Sequence, residues 1–361
     1  MTKARDIASA APAPSTVSAT ELGYLDGVTS AIQTQLNQKP EFVAGKNKII
    51  NGDFNIWQRG TSFTPAAGNA LVYTADRFFS QRNGTGATVT VSQQTFTPGT
   101  APVSGYESSF FGRYAQTVAG SGGTYAIAFG QNIEDVRTFA GQTITISFWA
   151  KADSAREVTV GFNQIFGSGG SSSVNVAAGD RTLSTSWARY SSTVTIPSIS
   201  GKTIGTSSHL QFYFSPITVN QIQTFDIWGL QIEAGSVATP FQTATGTVQG
   251  ELAACQRYYY RSTTDGVAGY ANFATSRGAK STTQVEIPFP VPVQMRIVPN
   301  IFDYLNITLD PTVAIGTPLI TNAIATLVNV QFTTTGLTQF RPYTIIGNNS
   351  ATAYVAFSAE F

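Results

Sequence analysis

The segment from Asn47 to Gly60 reads NKIINGDFNIWQRG and is the most informative stretch of this chain of 361 residues. An Asn51-Gly52 turn signal follows two isoleucines, and Asp53 is placed to cap that turn. Three further motif segments follow it in order. They are YTADRF at 73–78, QIEAG and ATPF within 231–241, and CQRYY at 255–259.

The composition around these motif segments is typical of antiparallel β-structure. Aromatic residues make up 12% of the chain and charged residues only 11%. Thr, Val, Tyr and Phe fit a pleated, half-buried surface, so the sequence predicts a mainly β protein. The net charge is +1, which gives no electrostatic reason to expect a nucleic acid or an anionic membrane as partner.

Cysteine usage and hydropathy exclude further classes. Cys255 is the only cysteine, which rules out an intrachain disulfide and a cysteine-rich zinc site. The N-terminus lacks the apolar run of a signal peptide, and no segment approaches 18 uninterrupted apolar residues. We therefore expect that the chain does not insert into a membrane. We also expect that it assembles in a reducing cytoplasm.

Strict alternation of apolar and polar residues predicts strands within residues 46–246. Ile144, Ile146 and Phe148 alternate with a set that includes Trp149. In the same way Leu210, Phe212 and Phe214 alternate with His209, Gln211 and Tyr213. Period two places the apolar sets toward a core and the other sets outward. Many short strands with Gly- and Ser-rich breaks predict a jelly-roll β-sandwich here.

Residues 247–361 are expected to form a second, smaller β-sandwich domain. The sequence leaves open whether 251–260 begins it as a short helix or as a strand. Three prolines punctuate Val285 to Val293, which predicts an edge strand or an extended crossing and not a central strand. Residues 351–361 alternate in the manner of a last strand.

The N-terminal residues differ from the rest. Residues 1–20 are rich in Ala, Pro, Ser and Thr, a composition that cannot bury a core. Residues 21–45 contain a short helix stopped by Pro40, whose apolar seam has the alternating three- and four-residue spacing of a coiled coil. The seam residues are Leu22, Leu25, Thr29, Ile32 and Leu36. Such a short helix needs partners, either other chains or its own domain.

Catalytic signatures are missing from the sequence. His209 is the only histidine, has no nucleophile-elbow motif nearby and is expected to face solvent on a strand. One histidine and one cysteine cannot build a zinc site. Glu134 and Asp135 are adjacent, so in a strand they point oppositely and do not form the facing carboxylates of a glycosidase. We expect no enzymatic activity, no cofactor and no catalytic residue.

The four motif segments resemble a jelly-roll module that recurs in bacteriophage tail-fibre and virion proteins. The wording of residues 21–36 resembles a linker of tail fibres in which three chains bundle. The resemblance implies a homotrimeric virion protein, with residues 1–20 attached to the phage tail or baseplate. The two β-domains would then recognise the host surface, through a polysaccharide or another receptor. An architectural collar, neck or head fibre is the alternative, and a polysaccharide depolymerase is a further one.

Jelly-roll modules similar to this one include carbohydrate-binding modules, which stack sugar rings on aromatic side chains. The resemblance therefore makes Trp149 and Tyr213 the candidate glycan-binding residues. The open alternative is that a loop or a neighbouring subunit covers both. Some related folds carry a structural Ca²⁺ near the first strand, and Asp53 and Glu233 could supply oxygens. Because Asp53 could equally cap its turn, no metal is assigned.

Overall fold

Twelve antiparallel strands between Ser62 and Ala234 form two six-stranded sheets packed face to face. The structure is a computed structural model that describes residues 42–104, 106–310 and 313–361. The first sheet has the order β1-β4-β5-β12-β7-β10 and the second β2-β3-β6-β11-β8-β9. The strands are β1 (Ser62–Phe63), β2 (Val72–Tyr73), β3 (Phe78–Arg82), β4 (Thr88–Thr95), β5 (Phe110–Val118), β6 (Ala126–Glu134), β7 (Thr143–Ala152), β8 (Arg156–Ile165), β9 (Val174–Leu183), β10 (Ala188–Thr195), β11 (His209–Pro216) and β12 (Gln223–Ala234).

The chain passes repeatedly between the two sheets from β5 to β12, as in a jelly roll. The alternating residues named from the sequence fill the space between the sheets, which confirms that prediction. Ile144, Ile146 and Phe148 on β7 are fully buried in the main core, and so are their counterparts on β11. Mainly β structure is therefore confirmed.

The two predicted N-terminal segments lie outside the described residues. They are the anchoring arm at 1–20 and the helix seam of Leu22, Leu25, Thr29, Ile32 and Leu36. Ala44 to Phe361 form one compact unit that contains both the sandwich and the C-terminal sheets. Among the described residues, no helix has the length and hydropathy needed to cross a bilayer.

One helix, α1 (Val248–Gln256), links the sandwich to the C-terminal sheets. It begins after Thr247, whose hydroxyl accepts a hydrogen bond from the Gly250 amide at 3.0 Å. The Glu251 carboxylate in its first turn accepts from the backbone amides of Asn51 and Thr245, each at 2.7 Å. The helix is therefore fastened to the first motif segment. The choice that the sequence left open for 251–260 resolves into helix and then strand.

The C-terminal region consists of three three-stranded sheets around a second hydrophobic core. Their orders are β13-β21-β16, β14-β20-β17 and β15-β19-β18. The strands are β13 (Tyr259–Thr263), β14 (Asn272–Thr275), β15 (Gln284–Pro290), β16 (Ile301–Leu305), β17 (Ile307–Leu309), β18 (Leu319–Ile324), β19 (Leu327–Thr333), β20 (Thr344–Gly347) and β21 (Tyr354–Ser358).

Two sequence predictions for this region are confirmed. The proline-punctuated strand β15 lies at the edge of its sheet, where β19 is its one neighbouring strand among the described residues and a single bridge joins Val285 to Ala279. An edge position suits Pro288, which has no amide hydrogen to donate to a second neighbour. The last predicted strand is β21, and it lies at the centre of its sheet between β13 and β16.

Candidate functional site: a trough on the second sheet

Tyr213 lies on the outer face of the second sheet between two glycines. Its cross-strand partners are Gly130 on β6 and Gly161 on β8. A Cβ atom at Gly161 would stand 2.7 Å from the Tyr213 Cζ atom, so the tyrosine ring lies over that glycine. The ring of Phe79 covers Gly130 in the same way. Because Gly130 and Gly161 have no side chains, an aromatic ring can lie against the sheet at each of these positions.

A row of amide side chains crosses four strands beside Tyr213. Asn175, Asn163, Gln211 and Asn132 lie on β9, β8, β11 and β6 at paired positions. The Asn175 amide donates to Asn163 at 2.9 Å, Asn163 to Gln211 at 3.1 Å, and Gln211 to Asn132 at 3.2 Å. Asn175 also donates to the Tyr213 hydroxyl at 3.1 Å. These contacts fix the orientation of the amides and of the tyrosine.

A third row lies on the other side of Tyr213. Asp180 on β9 stands opposite Thr159 on β8, which stands opposite Ser215 on β11. The β8–β9 register shifts between Val160 and Gly161, and this bulge brings Asp180 onto the outer face. The aromatic and glycine row is therefore flanked by an amide row and by a row of hydroxyls and one carboxylate.

Part of each row lines a cavity of about 470 Å³, which we call the trough; the row residues in its lining are Tyr213, Asn163, Asn175, Thr159, Ser215 and Asp180. Its rim includes Tyr125 and Ile217, which are 37% and 43% exposed. Ligand sites in proteins combine apolar and aromatic surface with a few fixed polar groups, and the trough has this composition. An aromatic ring with amides at its edge can hold the apolar face of a pyranose while hydrogen-bonding its hydroxyls.

The two candidate glycan-binding residues lie on opposite faces of the sandwich. Both point away from the main core and both are 9% exposed. Tyr213 lines the trough, whereas Trp149 belongs to the first sheet and packs in a separate aromatic cluster. Its ring lies 5.4 Å from Trp228 and 6.4 Å from Phe241, with Arg189 4.8 Å above it. A single short ligand cannot contact both residues.

The prediction that His209 faces solvent is wrong. His209 is 9% exposed, and its ring lies 4.6 Å from that of Phe361. Its Nδ1 is 2.8 Å from the Ser207 carbonyl oxygen. Burial lowers the pKa of His209, and the charges of Arg296 and Arg77 lower it further. The strand phase was read correctly, but the C-terminal segment covers this end of the outer face.

Three of the four motif segments meet where the C-terminal sheets dock on the sandwich. We call this contact the junction, and it is built from Arg59, Arg77, Tyr258, Tyr259 and Glu360. Arg59 lies 3.6 Å from the ring centroid of Tyr259, and Arg77 lies 3.4 Å from that of Tyr258. Both guanidinium groups form ion pairs with the Glu360 carboxylate.

The junction lies on the same sheet face as the trough. Tyr73 packs edge-on against Phe79 at 6.1 Å, and Arg59 stands 5.1 Å above the Tyr73 ring. Tyr213, Phe79 and Tyr73 therefore belong to one cluster on this face, and Arg59 connects Tyr73 to Tyr259 of the C-terminal strands. The C-terminal region covers the β2–β3 side, and the trough occupies β6, β11, β8 and β9.

The carboxylates considered as metal ligands lie in separate hydrogen-bond networks. Burial and the nearby Glu251 raise the pKa of Asp53 to about 6, and its Oδ2 accepts from Asn55 at 2.5 Å. Burial opposes ionisation of Glu233, yet hydrogen bonds from Thr239 and neighbouring groups lower its pKa. Across the described ranges, no group of three or more His, Cys, Asp or Glu side chains could hold a metal.

The adjacent acids Glu134 and Asp135 are both engaged in ion pairs. Glu134 accepts hydrogen bonds from Arg257 at 2.8 Å and from the Tyr258 hydroxyl at 2.9 Å. Asp135 follows the strand with a positive φ of 68° and pairs with Arg137 at 3.0 Å. Glu134 therefore stabilises the junction, and Asp135 belongs to a surface turn.

Comparison with known proteins gives only remote structural likenesses. No protein-family model matches the chain. No curated protein matches it either. A structure titled "CBM4 structure and function" has 17% identity, covers 51% of this chain and 98% of its own, and has a TM-score of 0.31. The family 11 carbohydrate-binding module of Clostridium thermocellum Lic26A-Cel5E has 15% identity, coverages of 48% and 99%, and a TM-score of 0.30.

A phage protein is among the similar structures. The enzymatically active domain of bacteriophage CBA120 tailspike protein 4 has 14% identity and a TM-score of 0.33. The match covers 53% of this chain but only 22% of the tailspike chain. At these scores the likenesses carry no argument about function. The description of the fold rests on the strand order and the cores.

Proposed function

We propose that this chain is a bacteriophage virion attachment protein whose jelly roll binds a glycan of the host surface in the trough. The observation that supports the proposal best is Tyr213, which lies flat between two glycines and is held by Asn175. Because its hydroxyl is held by Asn175, Tyr213 loses little side-chain entropy when a ligand binds. Only 9% of the residue is exposed, so in this proposal a sugar contacts that exposed part of the ring.

In this proposal the polar rows provide the hydrogen bonds to the sugar hydroxyls. Because the amides of Asn163, Asn175 and Gln211 bond to one another, their rotamers are set before a ligand arrives. A sugar hydroxyl that meets such fixed donors and acceptors gains directional hydrogen bonds. We propose binding without catalysis, and the lining supports this because Asp180 is the one carboxylate among its described residues, whereas glycoside hydrolysis uses a pair.

The virion role rests on the resemblance of the motif segments and of residues 21–36. In this proposal the arm at 1–20 attaches to the tail or baseplate, and the seam from Leu22 to Leu36 bundles three chains. Three linked troughs would raise the avidity of individually weak glycan contacts. The alternative is an architectural collar, neck or head fibre with the same folds and no receptor.

Adsorption of the purified chain to host cells separates these two functions. We expect host-specific adsorption that is competed by the host polysaccharide and that falls at least tenfold in Tyr213→Ala. Tyr270→Ala is the matched control, because Tyr270 is 55% exposed in the C-terminal region, outside the trough. A wild-type chain that adsorbs to no host cell and to no host polysaccharide would leave the architectural role as the better proposal.

A further inference from the structure

One of the side chains that line the trough is charged. Among the described residues that line it, Asp180 is the only one that is charged. Asp180 is exposed, and its carboxylate has no hydrogen-bond or ion-pair partner in the described part of the chain. The guanidinium of the adjacent Arg181 donates to the Asp180 backbone carbonyl oxygen at 2.5 Å and to the Ser191 carbonyl oxygen at 2.8 Å, but it forms no ion pair with the Asp180 carboxylate and does not line the trough. The one charge among the lining side chains is therefore negative, and the positive charge of Arg181 lies beside Asp180 but outside the lining.

The position of Asp180 places this charge beside the aromatic floor. Thr159 and Ser215 connect its row to β11, where Ser215 lies two residues from Tyr213. The Tyr213 ring lies over Gly161 on β8, and Asp180 stands one strand further and two residues along the sheet, steps of about 5 Å and about 7 Å. The centre of a sugar over that ring would thus lie about 8 Å from the position of Asp180.

A like charge at that distance has a measurable effect on binding. Coulomb's law for two unit charges about 8 Å apart predicts weakening of about 2-fold at an effective dielectric constant near 80 and about 30-fold near 20. The amide and hydroxyl rows add no positive charge that would offset this repulsion. They do offer both donors and acceptors, which suits the hydroxyl and acetamido groups of uncharged sugars.

We infer that the trough selects uncharged glycans and rejects acidic ones, and that Asp180 determines this selectivity. The inference rests on the proposed glycan-binding function and specifies its ligand class. Glycans bearing uronic acids, sialic acids or phosphate are disfavoured. Neutral hexoses and N-acetylated hexosamines are accepted.

The test is a glycan array of neutral and acidic oligosaccharides, followed by solution binding of matched pairs. Each pair consists of a uronic-acid glycan and its carboxyl-reduced form, which differ in charge and not in ring stereochemistry. We expect the wild-type chain to bind the reduced form about 10-fold more tightly. The ratio of the two affinities, reduced form over acidic form, should fall toward one in Asp180→Asn. In Asp180→Lys it should fall below one, so that the acidic form binds more tightly. Raising the salt concentration from about 0.05 M to about 0.5 M should shrink each difference.

Glu157→Lys provides the matched control. Glu157 is an exposed acid on β8 that stands opposite Thr182 and does not line the trough. The same change of charge there should alter the ratio much less than at Asp180. Asp180→Asn, the smaller change, keeps the test valid if Asp180→Lys does not fold.

Two outcomes would overturn the inference while the proposed function stands. One is tight wild-type binding of acidic glycans that Tyr213→Ala abolishes. The other is a ratio that Asp180→Lys leaves unchanged. Failure of the wild-type chain to bind any glycan of either class would instead refute the proposed function, and the inference with it.

Discussion

The guanidinium carbon of Arg77 lies 3.4 Å from the ring centroid of Tyr258. Arg77 comes from the second motif segment and Tyr258 from the last, so the contact joins parts of the chain separated by the whole sandwich. Arg77 is 1% exposed, donates to the Asn132 carbonyl oxygen at 2.6 Å and pairs with Glu360. Three of the four motif segments therefore contribute to the junction, and none of the four lines the trough.

The junction predicts that Arg77→Lys destabilises the chain. Lysine cannot stack on Tyr258 while reaching both Glu360 and the Asn132 carbonyl, because it lacks the planar fork of arginine. Disrupting a buried ion pair leaves a charge without its partner, so we expect a loss of about 2–4 kcal/mol in the free energy of unfolding. Chemical denaturation followed by tryptophan fluorescence measures it.

Arg137→Lys is the control for this prediction. Arg137 pairs with Asp135 at the surface, where its side chain is 60% exposed, and such pairs contribute up to about 1 kcal/mol. Equal effects of the two substitutions would show that the Arg77 cluster adds nothing beyond an ordinary surface ion pair.

Asp53 predicts a pH dependence of stability. Burial, with a contribution from Glu251, raises its pKa from 3.8 to about 6, so the folded state binds this proton more tightly than the unfolded state does. The stabilisation is complete below about pH 4 and is lost as the pH rises through about 6. Asp53→Asn should remove this slope and raise the stability at pH 7 by an amount on the order of 2–3 kcal/mol.

The measurement compares denaturation midpoints of wild type and Asp53→Asn from about pH 4 to about pH 8. His209 acts in the opposite direction, because its lowered pKa means that stability is lost as the pH falls through the unfolded value of 6.5. It is present in both proteins, so its contribution cancels in their difference. A difference that does not change across this range would contradict the raised pKa.

The close placement of Tyr213 over Gly161 predicts that a substitution of this glycine weakens glycan binding without changing the charge of the trough. A Cβ atom there would stand 2.7 Å from both the Tyr213 Cζ atom and the Val176 carbonyl oxygen. Gly161→Ala should therefore displace the tyrosine ring and also strain the β8–β9 pairing, because the Val176 oxygen belongs to the backbone. We expect glycan binding to weaken about 10-fold or more, together with a loss of stability. Affinity electrophoresis and a thermal melt measure the two effects separately.

Gly269→Ala is the control, since a Cβ atom at Gly269 meets nothing within 4 Å. It should leave both binding and melting unchanged. Full binding by a folded Gly161→Ala protein would show that the flat placement of Tyr213 does not matter for recognition.

The apolar helix seam predicts that the chain forms an oligomer. One charged substitution in that seam should separate the oligomer into monomers. Ile32→Asp puts a carboxylate into the apolar seam of the proposed bundle, where three copies would meet. Sedimentation equilibrium should show trimers for the wild-type chain and monomers for the variant. Gln33→Asp, one position off the seam, should remain trimeric. A monomeric wild-type chain at micromolar concentration would refute the homotrimer.

Much of the fold was predictable because it depends on local pattern. The alternation around Phe148 and Phe212 identified strands and their buried faces, since period two is a property of the extended chain itself. The prolines of β15 predicted an edge strand for the same local reason. Tyr213 was placed correctly on an outer face, but the amide row and Asp180 were missed. One signal in the sequence could have indicated this site. Tyr213 lies on a predicted strand, and the strands β6 and β8 that pair with it carry glycines.

The sequence by itself determined the mainly β class, the inward face of each main strand and the order of the motif segments. Only the tertiary structure decided that Gly130 and Gly161 flank Tyr213, that Trp149 packs beneath Arg189, and that Phe361 covers His209. Each of these depends on the register between strands or on the docking of a distant segment. Strand register and the docking of a distant segment depend on how much surface the whole folded chain buries. No local stretch of residues contains that information.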